Sequence, residues 1–363
     1  MRNFLLSILF LIPLALFAQV TVTTNNNAAA LAQMLAGQGV VVKNATMNCA
    51  GTAAGTFTGG QANLNFTLNE GIVLGTGNVS NPNAGGLICL GTDHGRAGYN
   101  RLNAIAGATT NDACILEFDV EVTTSTLEFK YVFGSDEYPE YVGSSFNDAF
   151  GFFISGPGIV GVQNIGVLPG GVAPITINSV NNGDTDAGPC TNCQYYRPNT
   201  VARNGLDGST QVLTATAKVI PCETYHFVIA IADGSDGCWD SSVFLEKSSL
   251  VSVGVDMTQP LVSGNLGVGR IYENCDSAIY TFNLPTALAN DYTFKIAIKG
   301  TAQNGVDYRF LVDSLVIPAG STSLSFTILP ITDSIVDPGE TVEICVLDPC
   351  TNAELICEFV TIE

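Results

Sequence analysis

The chain of 363 residues carries 33 acidic and 13 basic side chains, which gives a formal net charge of −20. Hydrophobic residues make up 46% of the chain and charged residues 13%, a balance typical of a folded protein and not of a disordered one. The acidity argues against a nucleic-acid partner, because no basic patch is present to displace counterions from phosphates. The length is enough for two domains, each with its own core.

The first 18 residues have the pattern of a secretory signal peptide. Arg2 precedes an apolar run, and Ala18 precedes Gln19, where we expect cleavage. This run is too short for a membrane-spanning helix, and no later segment suggests a transmembrane segment. We therefore expect a protein that is secreted or held at the extracellular cell surface.

The next segment, residues 25–37, predicts a helix. Asn25 to Asn27 offer capping side chains, Ala28 to Leu35 are good helix formers, and Gly37 can end the helix. After it, apolar and polar residues alternate in short runs that are separated by Gly, Asn, Asp and Pro. This pattern predicts an all-β fold, a jelly roll or β-sandwich, with no further helix.

Residues 131–158 place a polar run between two aromatic strands. This run holds five side chains with oxygen ligands: Asp136, Glu137, Glu140, Asn147 and Asp148. Hard cations such as calcium select ligands of this kind. The alternative is a solvated loop whose acidic residues cap turns, since the spacing does not match the calcium loop of helix-loop-helix proteins.

A second acidic loop follows a later strand and contains Asp233, Asp236 and Asp240. The loops at strand ends gather at the two rims of a sandwich, so this loop and the first one could meet and share a calcium site. If the two loops lay at opposite rims, the shared-site hypothesis would fail. The alternative is that these aspartates only accept hydrogen bonds from turn amides.

All 11 cysteines follow the signal peptide, and in an exported protein we expect them to form disulfide bonds. The odd number leaves at least one cysteine outside any intramolecular pair. Cys190 and Cys193 form a Cys-x-x-Cys motif that favours a local disulfide. Zinc or redox chemistry is disfavoured, because no second pair, nearby histidine or thioredoxin-like pattern accompanies it.

The β pattern changes at residues 251–266, which suggests a joint. We predict a signal peptide at 1–18, a β domain at 19–252 and an immunoglobulin-like β-sandwich at 253–363. The last part contains about a hundred residues, a usual size for such a sandwich.

Three motifs of the first domain resemble the choice-of-anchor L domain of secreted bacterial surface proteins, a family common in Bacteroidetes. They are, in chain order, VFGSDEYPEYVGSSFNDAFGFFISGPG, GPCTNCQYY and VIPCETYHFVIAIADGSDGCWDSSVFLE. The resemblance implies an extracellular domain that occurs with various anchoring modules and that has no established catalytic activity.

The second domain resembles a Calx-beta domain through NGVDY, VIPAG and DSIVDPGETVEICV. The resemblance implies a weaker calcium site at strand ends, formed by Asp307, Asp333, Asp337 and Glu340. Thr332 and Gly339 stand where that family often has further acidic residues, and fewer carboxylates imply a lower affinity.

Three aromatic residues, Tyr138, Tyr141 and Trp239, fall in or beside the acidic loops, where their rings could stack on a sugar or contact a partner protein. Packing in the core is the alternative. The sequence has only two histidines, His94 and His226, and neither belongs to a motif of nucleophilic or metal-dependent catalysis.

We therefore expect a non-catalytic surface or adhesion module, stabilised by calcium, that presents loops to a glycan, matrix or surface protein. Two alternatives stay open at this point. One is an extracellular polysaccharide-active hydrolase that uses paired carboxylates. The other is a purely structural spacer of a longer surface protein.

Overall fold

The computed structural model describes residues 20–37, 39–60, 68–80, 91–199, 206–252, 254–263, 269–273, 275–284, 291–332 and 339–363. The predicted signal peptide lies outside these residues. Within them the chain forms mainly antiparallel β-sheet, and the prediction of an all-β sandwich fold is confirmed.

We call residues 20–252 the first unit and residues 254–363 the second unit. The first unit contains the helices α1 (Ala28–Leu35) and α2 (Asn100–Ala106). Its strands are β1 (Thr21–Thr24), β2 (Val40–Asn48), β3 (Ala54–Thr58), β4 (Glu70–Gly75), β5 (Thr110–Val122), β6 (Thr126–Ser135), β7 (Ala149–Ser155), β8 (Gln163–Asn164), β9 (Ile175–Thr176), β10 (Tyr196–Pro198), β11 (Gly208–Thr210), β12 (Leu213–Lys218), β13 (Thr224–Gly234), β14 (Ser241–Glu246) and β15 (Val251–Ser252).

The strands of the second unit are β16 (Asp256–Val262), β17 (Arg270–Ile271), β18 (Ala278–Asn283), β19 (Tyr292–Gly300), β20 (Ser314–Ile317), β21 (Ser323–Ile328), β22 (Glu340–Leu347) and β23 (Glu354–Ile362). They form a three-stranded sheet in the order β16-β18-β21 and a five-stranded sheet in the order β17-β23-β22-β19-β20. A second core, which includes Tyr280, Phe282 and Ile344, collects the buried side chains of both sheets.

Two sheets of the first unit face each other across one core. One sheet has the order β1-β3-β4-β14-β6-β11-β10, with β12 and β15 also paired to β6, and the other has the order β2-β5-β13-β7-β8, with β9 paired to β7. Phe129 on β6 contacts Phe152 on β7 with ring centroids 4.8 Å apart, and so joins the two sheets. The alternation along β5 explains this layering, because Leu116 and Phe118 are buried while Glu117 between them is partly exposed.

Helix α1 is confirmed. The Asn27 side chain accepts a hydrogen bond from the Ala30 N–H at 3.1 Å and caps the first turn, and the helix ends at Leu35, two residues before Gly37. The expectation of a single helix is wrong, because α2 follows later. This short helix buries Leu102 and ends at Gly107, whose φ of 74° favours glycine.

Disulfide bonds form as expected for an exported protein. The Cys190–Cys193 bond confirms the interpretation of the Cys-x-x-Cys motif, and two further bonds, Cys49–Cys114 and Cys345–Cys357, lie within one unit each. Cys238 is also disulfide-bonded, whereas Cys275 is free and exposed.

One bond, Cys222–Cys350, crosses from the first unit to the second. Cys222 lies in the turn before β13, and Cys350 lies in the turn between β22 and β23. A cavity of about 190 Å³ lies beside this connection, with walls from both units that include Thr123 and Tyr292. The domain limits 19–252 and 253–363 stay a prediction, since the packing of the sheets does not test whether either part folds alone.

Candidate functional site

The two predicted acidic loops meet at one rim of the first unit. One loop follows β6 and the other follows β13, strands that belong to opposite sheets. Several hydrogen bonds join them: the Asp136 N–H donates to the Asp240 carbonyl at 3.2 Å, and the Gly234 N–H and Ser241 hydroxyl donate to the two carboxylate oxygens of Asp148 at 2.8 and 2.6 Å. The Ser235 hydroxyl also donates to the Ser145 carbonyl at 2.7 Å. The geometric condition of the shared-site hypothesis is therefore met, whereas cation binding itself stays a prediction.

We call the group of buried carboxylates at this rim the acidic centre. It comprises Asp112, Asp136, Glu137, Asp148, Asp233 and Asp240, of which none is more than 6% exposed. Each of them interacts electrostatically with at least one other member. Carboxylates are almost never buried unless they are paired or bound to a metal, so this concentration of them requires an explanation.

A third segment, residues 91–96, closes the acidic centre. The carboxylate of Asp112 accepts hydrogen bonds from the N–H groups of His94 and Arg96 at 2.7 and 2.6 Å. The Thr92 N–H donates to the carboxylate of Asp240 at 3.2 Å. Sequence reasoning missed Asp112, which lies near the start of β5, far in sequence from both loops. Its place directly before the buried apolar part of β5, which begins at Ala113, was the available signal.

Asp233 has the most unusual environment. It is completely buried at the end of β13, and within the described part of the chain neither of its carboxylate oxygens makes a hydrogen bond. The Thr76 hydroxyl and the Asp148 carboxyl are close enough to affect its pKa, but they do not reach hydrogen-bond geometry with it. A buried carboxylate without a partner costs several kcal/mol as an ion, on the order estimated for uncompensated charges.

Positive side chains do not compensate this charge. Among the described residues, no lysine or arginine forms a salt bridge with Asp148, Asp233 or Asp240. The hydrogen bonds to Asp148 and Asp240 come from backbone N–H groups and the Ser241 hydroxyl. The acidic centre therefore combines several like charges in a region from which water is largely removed.

The pKa values of these carboxyls reflect that environment. Burial, followed by repulsion from Asp148 and Asp236, raises the pKa of Glu137 to about 10. Burial also raises the pKa of Asp148 to about 7, against hydrogen bonds from Ser241 and Gly234 that lower it. Burial raises the pKa of Asp240 to about 7 and, with repulsion by Asp148, raises that of Asp233 well above its usual range. Without a cation near neutral pH, Glu137 and Asp233 are therefore favoured in the protonated form, whereas Asp148 and Asp240 are partly ionised.

The carboxylates do not form a closed ligand set in this geometry. Among the residues that the structure describes, only Glu343, Cys345 and Cys357 bring three potential ligand atoms within 4.8 Å of one another. Cys345 and Cys357 are bonded to each other, so that group is not a metal site. A cation in the acidic centre would need backbone oxygens, water and side-chain adjustments in addition to the carboxylates.

Two predicted ligands, Asn147 and Asp236, also take part in local hydrogen bonds, and their role as ligands stays a prediction. The Asn147 amide donates to the Ala106 carbonyl at 2.8 Å and accepts from the Asn178 N–H at 2.9 Å, so it braces the loop against α2 and a neighbouring turn. The Asp236 carboxylate accepts from the Cys238 N–H at 3.3 Å, as expected for turn capping. Asp236 is half-buried and lies close enough to Glu137 to repel it.

The prediction that Tyr138 contacts a ligand is wrong. The side chain is completely buried, its hydroxyl donates to the Val180 carbonyl at 2.7 Å, and its ring packs on Tyr196 with centroids 4.9 Å apart. Tyr141 and Trp239 are only half-buried, and their ring centroids are 5.2 Å apart. These two rings therefore stay candidates for ligand contact.

The second predicted calcium site is described only in part, because Asp333 and Asp337 lie outside the described residues. The Asp307 carboxylate accepts from the Gln303 N–H at 2.6 Å and so closes a turn. Glu340 begins β22 and is partly buried. The site stays a prediction.

A disulfide-bonded β-sandwich that carries an acidic, loop-built rim is the class of protein defined by this fold and site. The family of choice-of-anchor L domains matches residues 19–251, and the chain belongs to this family. The resemblance found in the sequence is thus confirmed for the first unit, whereas the Calx-beta resemblance and the bacterial group stay predictions. Family and disulfides suggest an extracellular or surface protein, and within the described segments no helix is long and apolar enough to cross a membrane.

Solved structures show only remote similarity. A GH2 β-galacturonidase from Eisenbergiella tayi, bound to galacturonate, is 8% identical with a TM-score of 0.19, and the match covers 64% of this chain and 33% of the enzyme. The adhesin domain of Epf from Streptococcus pyogenes is 9% identical with a TM-score of 0.21, and the match covers 69% of this chain and 76% of that domain. Similarities this weak carry no argument about fold or function. No curated protein matches the chain.

Proposed function

We propose that this protein is a non-catalytic, extracellular surface module whose acidic centre binds calcium and thereby fixes the two rim loops for contact with a ligand. The observation that carries the proposal is the buried Asp233 carboxylate, which has no hydrogen-bond partner among the described residues and lies beside Asp148. A divalent cation would supply the positive charge that no lysine or arginine of the described segments supplies there through a salt bridge.

Calcium fits the chemistry of the acidic centre better than other common cations. All candidate side-chain ligands are oxygens, and within the described part of the chain no histidine nitrogen or free thiol completes a group of three ligand atoms with these carboxylates. Calcium accepts roughly six to eight oxygens in flexible geometries, including backbone carbonyls and water. Asp148, Asp233 and Asp240 would be the central ligands, with Glu137 and Asp136 beside them.

The position of the acidic centre links the cation to a display function. It lies between loops from opposite sheets, so a bound cation would pull together segments that otherwise repel each other. Loops positioned by a rigid scaffold are common binding elements. Membership of a surface-associated family and the disulfides support an extracellular role, with a glycan, matrix component or surface protein as the ligand.

Thermal unfolding with and without calcium tests the proposal. Calcium at about 100 times its Kd stabilises a folded protein by about 2.7 kcal/mol, so we expect Tm to rise by several degrees over its value in chelator. Asp233→Asn should remove this rise. Asp184→Asn, which changes an exposed turn carboxylate of the same unit, should retain it. An equal Tm in chelator and in millimolar calcium would refute the role of the cation.

The hydrolase alternative receives no support from the exposure of the carboxylates. Asp148 and Asp233 are completely buried, so a polymer substrate cannot reach them without movement of both loops. Release of reducing ends from extracellular polysaccharides, lost on Asp148→Asn in protein that still folds, would favour the hydrolase. If no ligand is found while calcium still stabilises the fold, the structural-spacer alternative is favoured instead.

A further inference from the structure

We propose that Tyr141 and Trp239 form the stacking surface of a calcium-dependent site for a neutral carbohydrate. The calcium dependence rests on the proposed function above, whereas the ring surface rests on its own geometry. The two rings come from different loops and contact each other at the rim that contains the acidic centre.

Each ring is tied to the acidic centre through its own loop. The Tyr141 N–H donates to the Glu137 carbonyl at 3.1 Å, which places the tyrosine one turn beyond a buried acidic residue. Trp239 directly precedes Asp240, whose carbonyl accepts from the Asp136 N–H. The ring contact at 5.2 Å therefore bridges the same two loops that the carboxylates bring together.

A third aromatic residue extends this surface. Phe146 lies in the same loop as Tyr141, is also half-buried, and contacts its ring edge-to-face at 5.5 Å. The aromatic residues of the sandwich core, such as Phe129 and Phe152, are by contrast almost completely buried. The rim rings thus keep part of their apolar surface in contact with solvent, where a ligand can cover it.

The backbone of Trp239 adds an independent observation. Its φ of 69° lies in the left-handed region, which is unusual for a bulky residue and costs on the order of 1 kcal/mol or more. The disulfide at Cys238 and the buried Asp240 hold the chain on either side of it. Glycine would adopt this conformation without strain, so the indole ring is kept at this position against a conformational cost.

The charge around the rings argues against anionic ligands. Residues 136–148 and 233–240 contain seven acidic side chains and no lysine or arginine. Acidic polysaccharides and other polyanions would be repelled by this rim. A neutral pyranose presents an apolar face to an aromatic ring, and its hydroxyls can donate to exposed carboxylates such as Glu140.

Calcium would control this site through the distance between the loops. Without a cation, repulsion between the ionised forms of Asp148 in one loop and Asp240 in the other opposes the Tyr141–Trp239 contact. With the cation bound, the rings are held together before the sugar arrives, and less ordering is needed on binding. We therefore expect carbohydrate affinity to fall at least tenfold in chelator.

Fluorescence provides a residue-specific test, because Trp239 is the single tryptophan of the chain. The probes are the neutral hexasaccharides of cellulose, mannan, amylose and chitin, with hexagalacturonate as the anionic control. We expect at least one neutral probe to change the Trp239 emission saturably in calcium, and hexagalacturonate to leave it unchanged. No response to any neutral probe, or binding only to unglycosylated matrix proteins, would overturn the carbohydrate assignment.

Two variants distinguish loss of contact between the rings and the sugar from loss of folding. Their affinity for the responding probe is measured by calorimetry. Tyr141→Ala and Trp239→Gly should each weaken binding at least tenfold while the rise of Tm with calcium persists. Phe310→Ala, which removes an exposed ring of the second unit, should bind as the wild type does. Wild-type affinity in both rim variants would refute the role of the rings.

The two proposals fail separately. A calcium-induced rise of Tm without any sugar binding overturns this inference and leaves the proposed function standing. Sugar binding that is lost in the rim variants but is equal in chelator and calcium overturns the calcium dependence. An unchanged Tm in calcium overturns the proposed function itself.

Discussion

Replacement of Asp240 by asparagine should stabilise the protein in chelator and destabilise it in calcium. Asp240 is 6% exposed, and burial raises its pKa from 3.8 to about 7. Because the pKa is higher in the folded state, ionisation of this group opposes folding. Its unfavourable contribution is absent below the unfolded pKa and grows as the pH rises from about 4 towards 7.

The size of the effect follows from the two pKa values. At about 1.4 kcal/mol for each pKa unit, the ionised Asp240 destabilises the cation-free fold by roughly 4 kcal/mol above pH 7. Asparagine has the same shape without the charge, and its amide oxygen can still accept from Thr92. In chelator at about pH 8, Asp240→Asn should therefore increase the free energy of unfolding, by up to roughly 4 kcal/mol. At about pH 5 the gain should be much smaller.

With calcium bound, the same substitution removes a ligand and should lower the free energy of unfolding. Urea denaturation at both pH values, in chelator and in millimolar calcium, measures all four conditions. Asp184→Asn serves as the control, because its exposed carboxylate should give no sign change. A variant that is less stable than the wild type in chelator at about pH 8 would refute the reasoning, since the ionised carboxylate would then be stabilising without a cation.

Three further outcomes are expected. The double variant Cys222→Ser, Cys350→Ser removes a disulfide bond that spans 128 residues, and chain entropy alone predicts a loss of stability of about 4 to 5 kcal/mol. Calorimetry of this variant should resolve two unfolding transitions. A single transition at the original Tm would contradict this. A maleimide should label native protein at Cys275, as peptide mapping checks, and Cys275→Ser should abolish that labelling. Tyr138→Phe should lose about 1 to 3 kcal/mol in urea denaturation, because the Val180 carbonyl loses its donor, while binding of any rim ligand stays unchanged.

Local patterns in the sequence predicted the strands and the two acidic loops. The alternation along β5 and β13 depends only on which side chains face the core, so it can be read from neighbouring residues. The meeting of the loops was also predictable as a hypothesis, because strand-end loops gather at the rims of a sandwich. Helix α2 was missed because it is only seven residues long and follows a loop without a side-chain cap at its start.

Long-range contacts limited the prediction of the site. Asp112 belongs to the acidic centre because residues 91–96 fold over the start of β5, and no local pattern indicates that fold. Tyr138 is buried, and its hydroxyl donates to the carbonyl of Val180, 42 residues away. Its position in a loop wrongly suggested that the ring is exposed. Both differences arise where a segment distant in sequence covers a residue.

The Cys222–Cys350 bond gives the two units a second covalent connection besides the backbone between residues 252 and 254. Two attachment points, unlike one, oppose twisting and swinging of one sandwich against the other. Tension that reaches the second unit is therefore transmitted to the start of β13, the strand that ends at the acidic centre. In a protein under load at a cell surface, this disulfide path would couple mechanical force on the second unit to the rim loops.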